Sequence, residues 1–284
     1  MGHHYVPRQH LRRFAVSGAN NCVWMYDKQT RRFCQAGIAS VAQESEYYDP
    51  EIEKALADVV EGPGKIAIDK LLNREKIDNA ERSSLSLYFM IMVTRGPRQR
   101  RKSLEHSPEI LAQIISDTEV EIRQWIADEP GNPMAHRRLQ ELEEVRAKFS
   151  AELPQGVIDQ VRRPFWSERT VGCIHNMFWH IVPAPPGAHF VTSDTPAHFF
   201  ECFGVGTLES EYTITLSKDF ALIGERRRNA GIGYEKPQAR IAREINRRIL
   251  SHAERFVFSP SKGDWIETVV QKKAPYLSRI NWGR

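Results

Sequence analysis

No apolar run in this sequence is long enough to cross a bilayer, and no secretory leader is visible. Together these absences suggest a chain that is not a membrane protein, with the cytoplasm as its compartment. Cysteine is scarce too. The four are Cys22, Cys34, Cys173 and Cys202, and no two have the C-x-x-C spacing of a thiolate zinc site. Cys22 and Cys34 are expected to face each other across a hairpin, but nothing resembles a secreted disulfide scaffold. Gly2 is followed by Val6 where a myristoylation signal needs a hydroxyl. There is no Walker loop, no G-x-G-x-x-G, no H-E-x-x-H and no EF-hand loop. ATP hydrolysis, Rossmann dinucleotide chemistry and zincin chemistry therefore have no motif behind them. Internal repeats and low-complexity stretches are missing as well.

What is present reads as a folded globular chain of 284 residues, 41% hydrophobic and 27% charged. A net charge of +4 is too small to declare a nucleic-acid binder. The distribution says more. Basic residues gather at 8–13, 95–102, 226–228 and 240–248, and acidic ones at 44–61 and 117–144. Either this polarity builds a basic face that attracts phosphate, or it reports solvated helix faces.

Val23, Met25 and Tyr26, then Asp27-Lys28-Gln29-Thr30, then Phe33-Cys34 read as strand, turn and strand. Residues 51–152 read as helical. A stripe of Ile52, Leu56 and Val59 is interrupted at Gly62-Pro63-Gly64 and resumes over 66–72. Asn79 is the expected N-cap of a central helix running to Thr94, apolar around most of its circumference and stopped by Gly96-Pro97. Ser107-Pro108 and Asn132-Pro133 each give a cap residue followed by proline at the first helical position. The two charged helices they open, within 107–152, form a hairpin projecting from the core. Beyond 155, a helix over 165–177 leads into strands near 179–182, 190–192, 212–216 and 220–223. A helix over 239–253 and a strand over 255–258 follow. The pattern predicts an α+β fold: a helical middle section with N- and C-terminal β elements, packed as one main domain.

A chain terminus is ordinarily loose, yet MGHHYVPRQHLRRF is crowded with side chains capable of chemistry. That density points to a segment tied into a site. His3 and His4 are suited to proton exchange near neutral pH. On extended chain they point to opposite faces, so one acts while the other braces. His4 is the stronger choice, because Tyr5 and Pro7 stiffen the backbone beside it. The alternatives are a structural pair or a tag remnant. Arg12 offers a planar fork for phosphate, or an exposed basic turn. Arg95 extends the apolar face of Ile91 and Met92, where a guanidinium must be paired or open into a pocket; a charge at a helix C-terminus is the alternative. Arg98 adds charge nearby. Glu53 and Glu61 are two acids eight apart, roughly on one side of a continuous helix. Ser193 and Asp194 end a strand at a sheet edge, as a site or as a turn closed by Pro196. Asn246 lies in the stripe of Ala242, Ile249, Leu250 and Ala253, where its amide braces a loop or reaches a ligand.

These motifs have a counterpart. HHYVPRQHLRRF resembles the opening motif, roughly H-H-Y-V-P-x-x-Y-L-R-x-F, of an uncharacterised bacterial family, domain of unknown function 4238. VWMYDKQTRRF resembles its first hairpin, the Glu53 and Glu61 segment its acidic helix, and VTRGPRQR its R-T-P-x-x-R segment. FVTSDTPA resembles its F-[IV]-T-S-D-x-P-V strand, and Asn246 its late helical asparagine. Two departures are His10 for the usual tyrosine and Gly96 for a threonine. The resemblance spans most of the chain but implies no reaction.

Residue types therefore carry the functional expectation. One reading is phosphodiester hydrolysis on RNA, in a toxin or defence setting. His3, His4, Asp194 and Arg95 are its catalytic candidates, and Arg12, Arg98, Ser193 and Asn246 its substrate-binding ones. Glu61 and Asp194 are ligands for a divalent metal in a metal-assisted version. The other reading is a non-catalytic module that binds nucleic acid or protein through its basic face. Convergence of these residues favours the enzyme; dispersed residues with filled hydrogen bonds favour the module.

Overall fold

A turn held by one aspartate opens the fold. A computed structural model describes residues 2–19, 21–45, 47, 50–149, 156, 166–200, 205–226, 228–271, 279–280 and 282. The N-terminal part holds β1 (Gly2–His4), α1 (Arg8–Arg12), β2 (Cys22–Asp27), β3 (Arg32–Gly37) and β4 (Gln43–Ser45). Between β2 and β3, Asp27 Oδ1 accepts the amides of Gln29 (2.8 Å) and Thr30 (3.3 Å), an Asx turn. Cys22 lies opposite Gly37 and Cys34 opposite Met25, so the two thiols do not face each other and both are free. The expectation that they meet is corrected by this register.

The helical middle begins with α2 (Pro50–Ala55), a π-helical segment (Leu56–Glu61) and α3 (Gly62–Leu72), which follow without a gap. Gly62-Pro63-Gly64 does not interrupt the helix, contrary to the sequence expectation. Pro63 has no amide to give and its ring crowds the carbonyl four residues back. The chain widens just before it: the Gly62 amide reaches back five residues to the Ala57 carbonyl. Gly64 has a separate reason. A Cβ there would stand 2.7–2.9 Å from the Tyr88 side chain.

α4 (Asn79–Thr94) is the central helix. Its N-cap is Asp78, one residue before Asn79, in a reciprocal capping box with Glu81. Leu85, Tyr88, Phe89, Met90, Ile91 and Met92 are all buried, covering most of its circumference. Phe89 meets the rings of Trp179 (5.6 Å) and Tyr212 (5.5 Å). Arg82 is buried too, donating to the carbonyls of His175 (2.8 Å) and Met177 (2.6 Å) and lying 3.8 Å over Trp179.

α5 (Pro97–Asp128) starts eleven residues before Pro108, the first helical position that Ser107-Pro108 suggests, and runs through Pro108. Ser107 is therefore no cap; its hydroxyl bonds back to the Ser103 carbonyl at 2.6 Å. Asn132 does cap α6 (Pro133–Phe149), accepting the Met134 amide at 2.9 Å. Residues 99–163 form one compact unit, in which Arg146 pairs with Glu119 across the helical hairpin. Residues 1–98 and 164–284 form the other.

The C-terminal part holds α7 (Glu168–His175), β5 (Phe178–Pro183), β6 (Thr192–Ser193), β7 (Ala197–Phe199), β8 (Glu211–Thr215), β9 (Phe220–Glu225), β10 (Gly231–Tyr234), α8 (Ala239–His252), β11 (Phe256–Ser259) and α9 (Asp264–Gln271). A five-stranded sheet runs β10-β5-β9-β8-β7, with β10 parallel to β5 and the other pairs antiparallel. An antiparallel four-stranded sheet runs β3-β2-β11-β6, so the N-terminal hairpin closes on late strands. β1 pairs with β4. The fold is α+β, a helical middle between terminal β elements. Among the described residues no helix is long and apolar enough to cross a membrane.

Gly64→Ala is expected to lower stability by about 1–3 kcal/mol through overpacking against Tyr88. A urea midpoint equal to that of the wild type would show that α3 and α4 separate freely at this point.

Candidate functional site

The N-terminal motif is held in the fold by one guanidinium. Arg95, the C-cap of α4, is 2% exposed. Its Nη1 donates to Glu61 Oε1 at 2.7 Å and its Nη2 donates to the His4 carbonyl. The Arg95 carbonyl accepts from Tyr47 Oη at 2.9 Å, and Tyr47 stacks obliquely on Tyr5, 5.5 Å away. From α1, Gln9 donates to the Glu61 carbonyl at 2.8 Å. The segment HHYVP is thus fastened to the end of α4 and to the π-helical turn.

That turn explains the two acids. Eight residues on a regular α-helix leave two side chains about 80° out of phase. The five-residue hydrogen-bonding step takes up the difference, and both Glu53 and Glu61 act on Arg95. Glu53 is half-buried, its carboxyl pushed up by burial and by Glu61, against the pull of Arg95 and His3. Its Oε2 is out of water with no hydrogen-bond partner among the described residues. The His4 imidazole is pushed down by burial and by Arg8 and Arg95, against the carbonyls of Val41 and Ala39. Its Nδ1 has no partner either. His3 lies opposite Glu44 in the β1–β4 pair.

Asp194 sits next door. A Cβ on Gly96 would stand 3.1 Å from the Asp194 carbonyl oxygen, so the small residue after Arg95 lets the two segments touch. Burial pushes the Asp194 carboxyl up to about 6, while three main-chain amides pull the other way. These are Glu254 (2.8 Å), Arg255 (2.6 Å) and Phe256 (2.8 Å). Both oxygens are therefore occupied, and Asp194 fixes the approach to β11. Ser193 is buried and turned inward, donating to the Thr195 carbonyl and accepting its amide.

The other polar residues have partners of their own or face solvent. Asn246 braces a loop, accepting the Val191 amide at 3.1 Å and donating to the His189 carbonyl at 2.9 Å. Arg98 donates to the His252 carbonyl at 3.3 Å. Arg12 is exposed. His10 is fully buried, its Nε2 3.0 Å from Thr192 Oγ1 and its ring 5.3 Å from Phe14. Burial, with Arg13 and Arg95, pushes its pKa down to about 3. Among the described residues no group of three His, Cys, Asp or Glu side chains is placed to hold a metal ion.

Two polar groups escaped the sequence reading. His180 is buried between two carboxylates, its Nδ1 2.7 Å from Glu235 and its Nε2 3.1 Å from Glu225. Its ring stacks on Trp282 at 3.9 Å. His198 and His252 stack at 3.7 Å with their planes 8° apart. Neither ring nitrogen of His198 has a hydrogen-bond partner among the described residues. The available signal was a histidine inside an apolar strand, as in FWHIVP, where a polar ring needs partners.

Two outcomes follow for stability. Asn246→Leu should cost about 1–3 kcal/mol, because it strands the Val191 amide and the His189 carbonyl; chemical denaturation reads this directly. His10 takes up a proton in the unfolded chain near pH 6.5 but in the native state only near pH 3. Its contribution is therefore complete above pH 6.5 and is lost as pH falls towards about 3, at up to about 1.4 kcal/mol per pH unit. His10→Tyr should flatten that acid limb; an equally steep limb in the variant would place the proton uptake elsewhere.

Comparison with known proteins gives a family and no reaction. Neither a curated protein nor a solved structure matches the chain. One family model does, over residues 2–263, under the description "Protein of unknown function (DUF4238)". The chain belongs to that family.

Proposed function

We propose that the protein is a phosphodiester hydrolase acting on RNA, a nuclease of the toxin or defence type working in the cytoplasm. Its reaction centre is the place where β1 meets Arg95. One observation carries this reading. Two titratable groups around a single guanidinium are displaced in opposite directions, His4 down and Glu53 up, and each keeps an unpartnered polar atom out of water. Such a displaced pair marks a base and an acid. A histidine kept neutral accepts a proton from the attacking hydroxyl. A carboxyl whose pKa is raised holds a proton more readily and donates it to the leaving oxygen.

Arg95 is buried and doubly committed, so in this scheme it is a positioning residue that holds the His4 backbone and Glu61. Arg8, exposed and close enough to depress His4, and Arg12 on the same short helix meet the phosphate. His3 is the second proton carrier. The competing reading is a non-catalytic module for nucleic acid or protein. The bonds of Asp194 and Asn246 favour it, since both buried side chains are engaged with main-chain groups.

The test is cleavage of a labelled RNA across pH. His4→Ala and Glu53→Gln should each slow cleavage about a hundred- to ten-thousand-fold while leaving the melting temperature near that of the wild type. His4→Ala should remove the limb on which rate rises with pH, and Glu53→Gln the limb on which it falls. Binding of RNA should weaken steeply with added salt. RNA binding without cleavage by the wild type would leave the module. Cleavage unaffected by both substitutions would move the chemistry away from β1.

A further inference from the structure

The helical hairpin is closed along one side and open along the other. Ile115 of α5 and Ala135 of α6 are buried between the two helices. On one side of that seam Glu119 binds Arg123 Nη2 at 2.7 Å and pairs with Arg146 of α6, so charges seal the edge. On the other side lie Ile110, Ile114 and Trp125 of α5 and Met134 and Val145 of α6, each 37–59% exposed.

Helix phase puts these five on one face. At about 100° per residue, Ile110, Ile114 and Trp125 fall within about 60° of one another on α5, and Met134 and Val145 within about 20° on α6. Both groups are turned from the buried residue of their own helix in the same sense, and Glu119 and Arg146 in the opposite sense. Across an antiparallel pair, the same sense of rotation leads to the same side. The face extends about 22 Å along α5 and is two helices wide, roughly 400 Å². Apolar patches of that size on soluble proteins are often functional.

Charge names the occupant. Glu121 falls in the middle of this face, about 20° in phase from Ile114 and one turn before Trp125. It makes neither a hydrogen bond nor an ion pair among the described residues. Asp117 and Asp128 flank it with glutamine amides as partners, Gln113 at 2.7 Å and Gln124 at 2.8 Å, so their charge is not neutralised. Arg138, on the same side of α6, is already matched by Glu141 at 3.1 Å. Residues 107–149 hold nine Asp and Glu against five Lys and Arg, although the whole chain is net +4, so the hairpin attracts cations where the rest does not. A second copy of the chain is the wrong partner, because a two-fold pairing of this face brings Glu121 against its own counterpart.

We infer that this face binds a basic amphipathic helix of another protein, which lies along the groove between α5 and α6 as the third helix of a bundle. The ridges of such a helix fit the groove. Its apolar anchors at i, i+3, i+4 and i+7 meet the five exposed side chains, and a Lys or Arg among them meets Glu121. Every residue of the face lies within 107–149, and none belongs to the His4–Arg95 centre, so the inference is independent of the hydrolase reading.

The experiment is calorimetric titration of the full chain with three synthetic peptides of about 20 residues. One carries leucine at i, i+3, i+4 and i+7 spacing with lysine elsewhere. The second has glutamate in place of lysine, and the third is the lysine peptide scrambled so that no apolar face remains. The ordered lysine peptide should bind, and the other two should bind at least about tenfold more weakly. Glu121→Lys should weaken the lysine peptide about tenfold and let the glutamate peptide bind, and Ile114→Ser should weaken the lysine peptide by a similar factor. Both positions are exposed, so both variants should melt as the wild type does. No binding of the ordered lysine peptide, equal binding of its scrambled form, or an affinity unchanged by either substitution overturns the site. Sedimentation of the chain alone reads the other occupant: a dimer that Ile114→Ser dissociates gives the face to a second copy and overturns the partner helix.

Discussion

A buried guanidinium cannot be left alone, and Arg95 organises its surroundings for that reason. An uncompensated charge in the interior costs several kcal/mol. The chain answers with a carboxylate from the π-helical turn and a carbonyl from the first strand. Three stretches distant in sequence are thereby held at one point: residues 2–5, residues 53–61 and the end of α4. Gly96 then brings the Asp194 turn against that point, and Asp194 in turn grips three consecutive amides leading into β11. The two ends of the fold are joined through this chain of contacts.

Polar side chains in this protein divide by what they still have to offer. Asp194 and Asn246 hold main-chain groups, and His10 reaches a neighbouring hydroxyl through Nε2 while its Nδ1 is without a partner among the described residues. They specify how loops and strands meet. His4 and Glu53 have capacity left at the edge of the interior, where an unmet group is costly.

Much of this was legible in the residues. The apolar circumference of α4, the turn at Asp27 and the α+β alternation follow from periodicity and turn chemistry. The crowding of HHYVPRQH at a terminus signalled an anchored segment, and the placement of Arg95 signalled a partner. What was not legible depended on pairings made only in three dimensions. Gly62-Pro63-Gly64 looks like a break because local propensity is blind to Tyr88 lying across the helix. Ser107-Pro108 looks like a start because a proline inside a long helix has the same local signature as one at its first turn. His180 and His198 sit in strands whose apolar neighbours gave no hint of carboxylates or a second ring facing them.

The π-helical segment has a consequence for how this stretch tolerates change in length. Its wider step means that Glu53 and Glu61 are matched by residue count and not by residue type. A substitution at exposed Val59 leaves that count alone. Tightening the segment into ordinary α-helix at the same eight-residue spacing would turn one carboxylate away from Arg95 by about 80°, whereas losing one residue as the step tightens would leave the two acids within about 20° of one line. The residue count and the width of the helical step are therefore set together, while the identities of the solvent-facing residues between the glutamates are free to drift.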